Sequence, residues 1–157
     1  MLRILRIVAL LALATASACS STDTSEPRLI PIEQTSFAAS LGVNIAASTK
    51  TANGAYYRDI AVGTGATVAN GKLLTVRYTG WLANGTQFDS NTSAAGFQFA
   101  LGTGRVIAGW HEGLQGARIG GNRQLIIPAS LGYGAAGTGP IPGNAVIVFN
   151  VEVVSTQ

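Results

Sequence analysis

Residues 97–134 read FQFALGTGRVIAGWHEGLQGARIGGNRQLIIPASLGYG. Phe97 to Leu101 is a short strand candidate. Val106 to Leu114 abandons the two-residue alternation, and Ile107, Trp110 and Leu114 fall at helical spacing. Gly109 and Gly113 weaken that helix in isolation, so tertiary packing must hold it. Arg123 to Ile127 returns as a strand, stopped by Pro128. Leu131 to Pro142 is a loop rich in glycine and proline. The order is strand, one very short helix, strand.

The flanks extend the same pattern. Lys72 to Trp81 (KLLTVRYTGW) alternates, with Leu74, Val76 and Tyr78 on one face and Thr75, Arg77 and Thr79 on the other. Asn84-Gly85 is a hairpin turn, since both residues accept positive φ. Thr86 to Asp89 forms the returning strand. Ala145 to Val154 (AVIVFNVEVV) sets Ala145, Ile147, Phe149, Val151 and Val153 on one face. Tyr56 to Val62, after the Asn53-Gly54 turn, is a further strand. Strands with one polar face favour an antiparallel sheet, and no long helix competes. An α+β fold follows, an antiparallel sheet wrapped over one helix. No internal repeat is present.

The N-terminus reads as a targeting segment outside this domain. Arg3 and Arg6 precede the apolar run Ile7–Ala14, which is too short to span a bilayer, and Ala16-Ser17-Ala18 follows. Residues 1–18 read as a secretory signal peptide. Cys19 is the one cysteine of the chain, which excludes an internal disulfide. Its position resembles the lipidation site of a bacterial lipoprotein, with plain cleavage after Ala18 as the alternative. Residues 20–26 (SSTDTSE) form a polar tether, and 19–48 a lipidated tether and N-terminal extension. In that extension Phe37, Leu41 and Ile45 recur every four residues, the spacing of a short helical turn. The chain has ten basic and seven acidic residues. Loss of Arg3 and Arg6 with the signal leaves eight minus seven, or +1, with the arginines scattered, so nucleic-acid binding has no support.

Eight aromatics lie between Tyr78 and Phe149, accompanied by two carboxylates, Asp89 and Glu112, and the single histidine, His111. A metal site needs three or four ligands, and no Gly-x-Ser-x-Gly elbow accompanies a serine triad. Gly132 to Gly137 matches the dinucleotide glycine spacing, but Pro140 and Pro142 follow where a helix must open. No metal or cofactor is expected. An aromatic-walled pocket with one or two polar groups needs no more than this set, although an ordinary aromatic core has the same composition. Asp89 is either a turn residue bonding nearby backbone or a rim carboxylate held by Tyr78 or Arg105. His111 is expected on the solvated side of the helix.

Taken together, YTGWLANGTQFDS (78–90), residues 97–134 and VIVFNVEVV (146–154) resemble the FKBP-type peptidyl-prolyl cis-trans isomerases, over most of residues 54–154. The resemblance implies a curved antiparallel sheet of five or six strands around one short α-helix, in a domain of residues 49–157 with its core motif at 71–157. It implies a pocket of Tyr78, Phe88, Asp89, Phe97, Val106, Ile107, Trp110, Tyr133, Ile141 and Phe149. Trp110 would be its floor, and Tyr78, Phe88 and Phe149 its walls. The Ile107 N–H and the Tyr133 hydroxyl would meet substrate carbonyls, and Asp89 would organise the pocket. Phe99 matches the pattern as pocket or core. The Tyr133–Pro142 loop is one residue shorter than in the best-known members, with Thr138 about where they often carry histidine.

The implied function is acceleration of Xaa-Pro rotation in exported proteins. Implied partners are proline-containing polypeptides and macrolides of the rapamycin type, and the chain would act as a monomer. The lipid on Cys19 would hold it to a membrane facing the periplasm or cell exterior. A non-enzymatic binding module on the same fold is the competing reading. A chaperone for unfolded chains is another, though no large insertion fits between Tyr133 and Pro142.

Overall fold

The computed structural model describes residues 29–157. The signal, Cys19 and the polar tether lie outside the described residues. The strands are β1 (Thr49–Lys50), β2 (Tyr56–Ala61), β3 (Leu73–Leu82), β4 (Gln87–Asn91), β5 (Phe97–Ala100), β6 (Asn122–Ile127) and β7 (Ile147–Thr156), with one α-helix, α1 (Ala108–Gly113). They form one antiparallel sheet in the order β1-β2-β6-β7-β3-β4, with β5 also paired to β3. The architecture is the expected α+β sheet on one helix. It has six strands of four residues or more and the two-residue β1.

The longest ladder joins β3 to β7, from Leu74↔Thr156 to Leu82↔Ile147. The Asn84-Gly85 turn closes β3 onto β4, with Gly85 at φ 90° and Asn84 Oδ1 accepting the Thr86 N–H at 2.9 Å. The β7 face chosen by alternation is the core face. Ile147, Phe149, Val151 and Val153 are buried there with Leu74, Val76, Phe99, Leu125 and Ile127.

Helix α1 is six residues long and far too short to stand alone. Its two glycines are the reason it lies so close to the sheet. A Cβ on Gly109 would sit 2.5 Å from Ile127 Cγ2, and one on Gly113 2.6 Å from Leu125 Cδ2. The residues that cost helix propensity therefore permit the backbone-to-β6 contact that replaces it.

The back of the sheet departs from the expected polar face. Residues 29–48 form a strap across it, with three 3₁₀ turns (Ile32–Gln34, Ala39–Leu41, Ile45–Ala47) instead of one helical turn. Phe37, Leu41 and Ile45 still serve one purpose. With Ile32 they pack on Tyr56, Ile126, Val146, Val148 and Trp81 in a second apolar cluster. The helical period fails because the strap follows the sheet surface and takes its hydrogen bonds from it. Ala38 N–H donates to Ala83 O at 2.8 Å, Arg58 donates to Gly42 O at 2.8 Å, and the buried Gln124 donates to Leu41 O at 2.8 Å.

Glu33 pins the strap near its start. It pairs with Lys50 at 2.7 Å and accepts from the Tyr56 hydroxyl. The Lys50 and Tyr56 hydrogen bonds pull its carboxyl down to about 2 from 4.5. A carboxyl depressed in the fold contributes its stability above the unfolded value and loses it as pH falls through the folded one. Strap docking should therefore weaken between about pH 4.5 and 2. The protection of the Ala38 amide, measured against its intrinsic exchange rate, should fall over that range in the native protein and not in Glu33→Gln. An equal pH response in the variant would refute the assignment.

Candidate functional site

A cavity of about 440 Å³ opens between α1 and the concave face of the sheet. Tyr78, Asp89, Phe97, Gly104, Arg105, Val106, Ile107, Trp110, Tyr133 and Phe149 line it. Trp110 is its floor, 4% exposed. Around that indole stand Tyr78 (ring centroids 5.0 Å apart, 83°), Phe149 (5.3 Å, 89°) and Phe97 (6.4 Å, 81°), all edge-on. Edge-to-face pairs are the favoured aromatic geometry. Phe99 lies underneath, stacked on Phe97 at 5.7 Å and buried. It belongs to the core, while Trp81 packs on the back of the sheet.

Three strands bring the walls together. Gly80 on β3 pairs with Asp89 on β4 and with Phe149 on β7. The β3–β4 register then slips, since Gly80↔Asp89 is followed by Trp81↔Gln87 and Phe88 is the extra residue. In a regular strand Phe88 and Asp89 would point to opposite faces. The bulge lets both serve one side, a recurrent use of bulges beside functional sites. Phe88 packs edge-on against Phe149 (5.5 Å) and Tyr133 (6.5 Å), and Asp89 reaches the cavity rim.

Of the ten residues drawn from the resemblance, eight line the cavity. Phe88 supports the wall from behind Phe149 and Tyr133, and Ile141 is 5% exposed within the core. Ile141 is held there by a tight turn in which its N–H and O exchange bonds with Thr138 at 2.8 and 3.0 Å. Gly104 and Arg105 are lining residues that the pocket list lacked. Their sequence signal was the Gly102-Thr-Gly104 spacing, a turn that projects the following residues to the rim.

The polar groups are few and specific. Tyr78 donates its hydroxyl to Asp89 Oδ2 at 2.8 Å, so Asp89 is held by Tyr78 and makes no bond to Arg105. Burial, then the Asp89 hydrogen bond, pushes the Tyr78 phenol far above its usual range. Burial, then the Asp89 charge, raises the Tyr133 phenol as well. Both hydroxyls therefore stay protonated and act as donors at any working pH. The Ile107 N–H, just ahead of α1, has no acceptor among the described residues, and neither has the buried Trp110 indole N–H.

Two helix residues are bonded to partners outside the helix, one of them against its sequence reading. Glu112 accepts from Thr51 (2.7 Å) and Asn53 (2.6 Å), tying the β1–β2 hairpin to α1. Burial raises its carboxyl, but those bonds outweigh burial and leave it lowered. His111, expected to be solvated, instead accepts the Gly102 N–H on Nδ1 at 2.8 Å, with Nε2 buried. The helix is short and lies against the 101–106 loop, so its polar side is covered.

The sequence profile of FKBP-type peptidyl-prolyl cis-trans isomerases matches residues 65–154. An FK506-binding protein 4 of Rhizopus delemar is 48% identical over 110 residues, 69% of this chain; the chain spans only 29% of that relative's length. An FK506-binding protein of Neisseria meningitidis serogroup B is 46% identical over 103 residues, covering 64% of this chain and 94% of the relative. The crystal structure of a peptidyl-prolyl cis-trans isomerase from Pseudomonas syringae pv. tomato superposes with a TM-score of 0.65 at 30% identity, covering 76% of this chain and 86% of that one.

Proposed function

Because the chain belongs to the FKBP-type peptidyl-prolyl cis-trans isomerase family, we propose that its cavity accelerates rotation about Xaa-Pro bonds. The observation that carries this reading is the Trp110-floored aromatic cavity with the Tyr78–Asp89 pair at its rim. Uncatalysed prolyl isomerisation takes about 10–100 s against a barrier of roughly 20 kcal/mol. The reaction breaks no covalent σ bond. It asks for a site complementary to the twisted amide.

The residues suit that task. The pyrrolidine ring is apolar and packs on Trp110, with Tyr78, Phe97 and Phe149 around it. The Ile107 N–H and the Tyr133 hydroxyl are two donors for the flanking substrate carbonyls. Asp89 fixes the Tyr78 ring through its hydrogen bond and places a negative charge beside the rotating amide. No proton transfer is required. Proline-containing polypeptides are the substrate class, and macrolides such as FK506 are the expected competitors for the same cavity.

The test is a protease-coupled assay on a short Xaa-Pro peptide, run with and without such a macrolide. A rate equal to the uncatalysed one would reduce the protein to a binding module. Asp89→Ala is expected to lower kcat/KM by about ten- to a hundredfold, the scale of one hydrogen bond to a charged group, without abolishing activity, because the aromatic contacts still hold Tyr78. Complete loss would point to an obligatory role in proton transfer.

For location, the proposal is an exported protein lipidated on Cys19, holding the domain at a membrane on the periplasmic or outer side. The sequence of residues 1–19 supports it. Mass spectrometry of the mature N-terminus decides between a lipid on Cys19 and simple cleavage after Ala18.

A further inference from the structure

The 101–106 loop forms one wall of the cavity, through Gly104, Arg105 and Val106, and leads directly into Ile107 and α1. Its first residue, Leu101, is bonded on both sides: its N–H goes to Lys72 O at 2.9 Å and its O accepts Gly71 N–H at 2.9 Å. Beyond that the loop is held sparingly. Thr103 Oγ1 donates to Ala100 O at 2.8 Å. The Gly102 N–H donates to His111 Nδ1 at 2.8 Å, the bond that fastens the loop to the helix. Gly102 and Gly104 both adopt positive φ, 88° and 75°, so the segment has little conformational restraint of its own.

That bond constrains the imidazole chemistry. Nδ1 can accept an N–H only in the neutral ring, with the proton on Nε2. A second proton would occupy Nδ1 and set two donors against each other. Histidine is the side chain that ordinarily changes charge between about pH 5 and 8. We propose that His111 is a positioning residue that latches the 101–106 wall to α1 when neutral and releases it when protonated, making the isomerase site sensitive to acid. This rests on the isomerase reading of the cavity.

The other ionisable groups at this corner do not replace the latch. Glu112, next on α1, is committed to Thr51 and Asn53. Arg105 lies within the loop itself, and Lys72 in the turn that receives Leu101. Asp89, at the cavity rim, is bonded to Tyr78. Arg123 and Asp59 pair with each other at the helix C-terminus. None of them makes a hydrogen bond to the imidazole.

The chain carries one histidine, so its ring signals in an NMR titration belong to His111. From pH 8 to 5.5 the Gly102 amide should shift with the same midpoint as the imidazole and lose protection relative to its intrinsic exchange rate at each pH. Over the same range kcat/KM should fall by about three- to tenfold, the worth of one neutral hydrogen bond. His111→Asn offers Oδ1 close to the place of Nδ1 and does not titrate there, so its activity should be flat over this range. His111→Leu lacks the acceptor and should be low throughout. A Gly102 amide indifferent to the His111 titration, or a wild-type pH response surviving in His111→Asn, would overturn the latch. A protein inactive at every pH but showing the coupled Gly102 shift would instead refute the isomerase reading and leave the latch standing.

Discussion

Replacing Arg123 with methionine is expected to destabilise the fold by about 3–5 kcal/mol, the range for breaking a buried ion pair. The guanidinium, 5% exposed, is held on four sides. Its Nε and Nη2 form a fork on the two Asp59 oxygens at 2.7 and 2.9 Å. Its Nη1 donates to Gly113 O at 3.0 Å and Gln115 O at 2.8 Å. Its Cζ lies over the Tyr57 ring, 4.4 Å from the centroid. Methionine keeps the apolar stem but leaves two carbonyls at the end of α1 without their donor, each costing about 1–3 kcal/mol if it stays dry.

Asp59→Asn should cost less, because Asn keeps an oxygen acceptor for the guanidinium, but it still leaves the buried Arg123 without its counter-charge. Asp59 is about a third exposed, so water screens its share of the pair, and Arg123 keeps its two carbonyls. Urea denaturation of the two variants measures the difference. A methionine variant within about 1 kcal/mol of the native protein would show that the α1–β6 contact does not depend on this charge. The melting temperature should fall by on the order of 10 °C for the methionine variant.

Gly80→Ala is expected to reduce kcat/KM by about a hundredfold, the scale of a misplacement near 1 Å at a reacting site. Gly80 lies on the cavity face of β3, cross-strand from both Phe149 and Asp89. An added Cβ would sit 2.5 Å from Phe149 Cε1 and 2.9 Å from both Phe149 Cδ1 and Phe88 Cζ. Those atoms belong to rigid rings that are themselves packed edge-on, so relief requires both rings to move. Phe149 is a cavity wall against Trp110, and its movement alters the surface that would receive the prolyl ring. Overpacking of this kind costs about 1–3 kcal/mol. The variant should therefore remain folded at 25 °C, with near-native circular dichroism and lost activity. Unchanged kinetics would mean that the rings have room the structure does not show.

Much of the site was legible through the family resemblance, and the local pattern agrees with where the structure puts some of its residues. Trp110 falls at helical spacing from Ile107 and Leu114, and the structure puts it at the cavity floor. Tyr78 shares its alternating face with Leu74 and Val76. The glycines at 109 and 113 lower the helix propensity of this segment. Their positive role, admitting Ile127 and Leu125 to contact, depends on β6 and could not be inferred from the helix alone. Gly80 had a signal, a glycine inside a strand, which marks either a bulge or a close approach. Here it marks both.

What was not legible was set by distant partners. Alternation places Phe88 and Asp89 on opposite faces, and only the slip against β3 brings them to one side. The four-residue spacing of Phe37, Leu41 and Ile45 marked buried positions correctly but suggested a helical turn. The strap takes its bonds from Ala83, Arg58 and Gln124, so an extended path with 3₁₀ turns wins. His111 looked solvated because nothing in its neighbourhood names Gly102 as a donor nine residues away.

The sequence by itself determined the antiparallel sheet, the single short helix, the turn at Asn84-Gly85 and the identity of nearly every aromatic around the cavity. The first three follow from periodicity and turn chemistry, which act over a few residues, while the aromatics follow from the resemblance of the motifs to the FKBP-type family. Only the tertiary structure decided which side of β4 meets the cavity, what covers the back of the sheet, and what holds the cavity's loop wall. Those depend on register and on hydrogen bonds between elements far apart in the chain, where local propensity gives no preference.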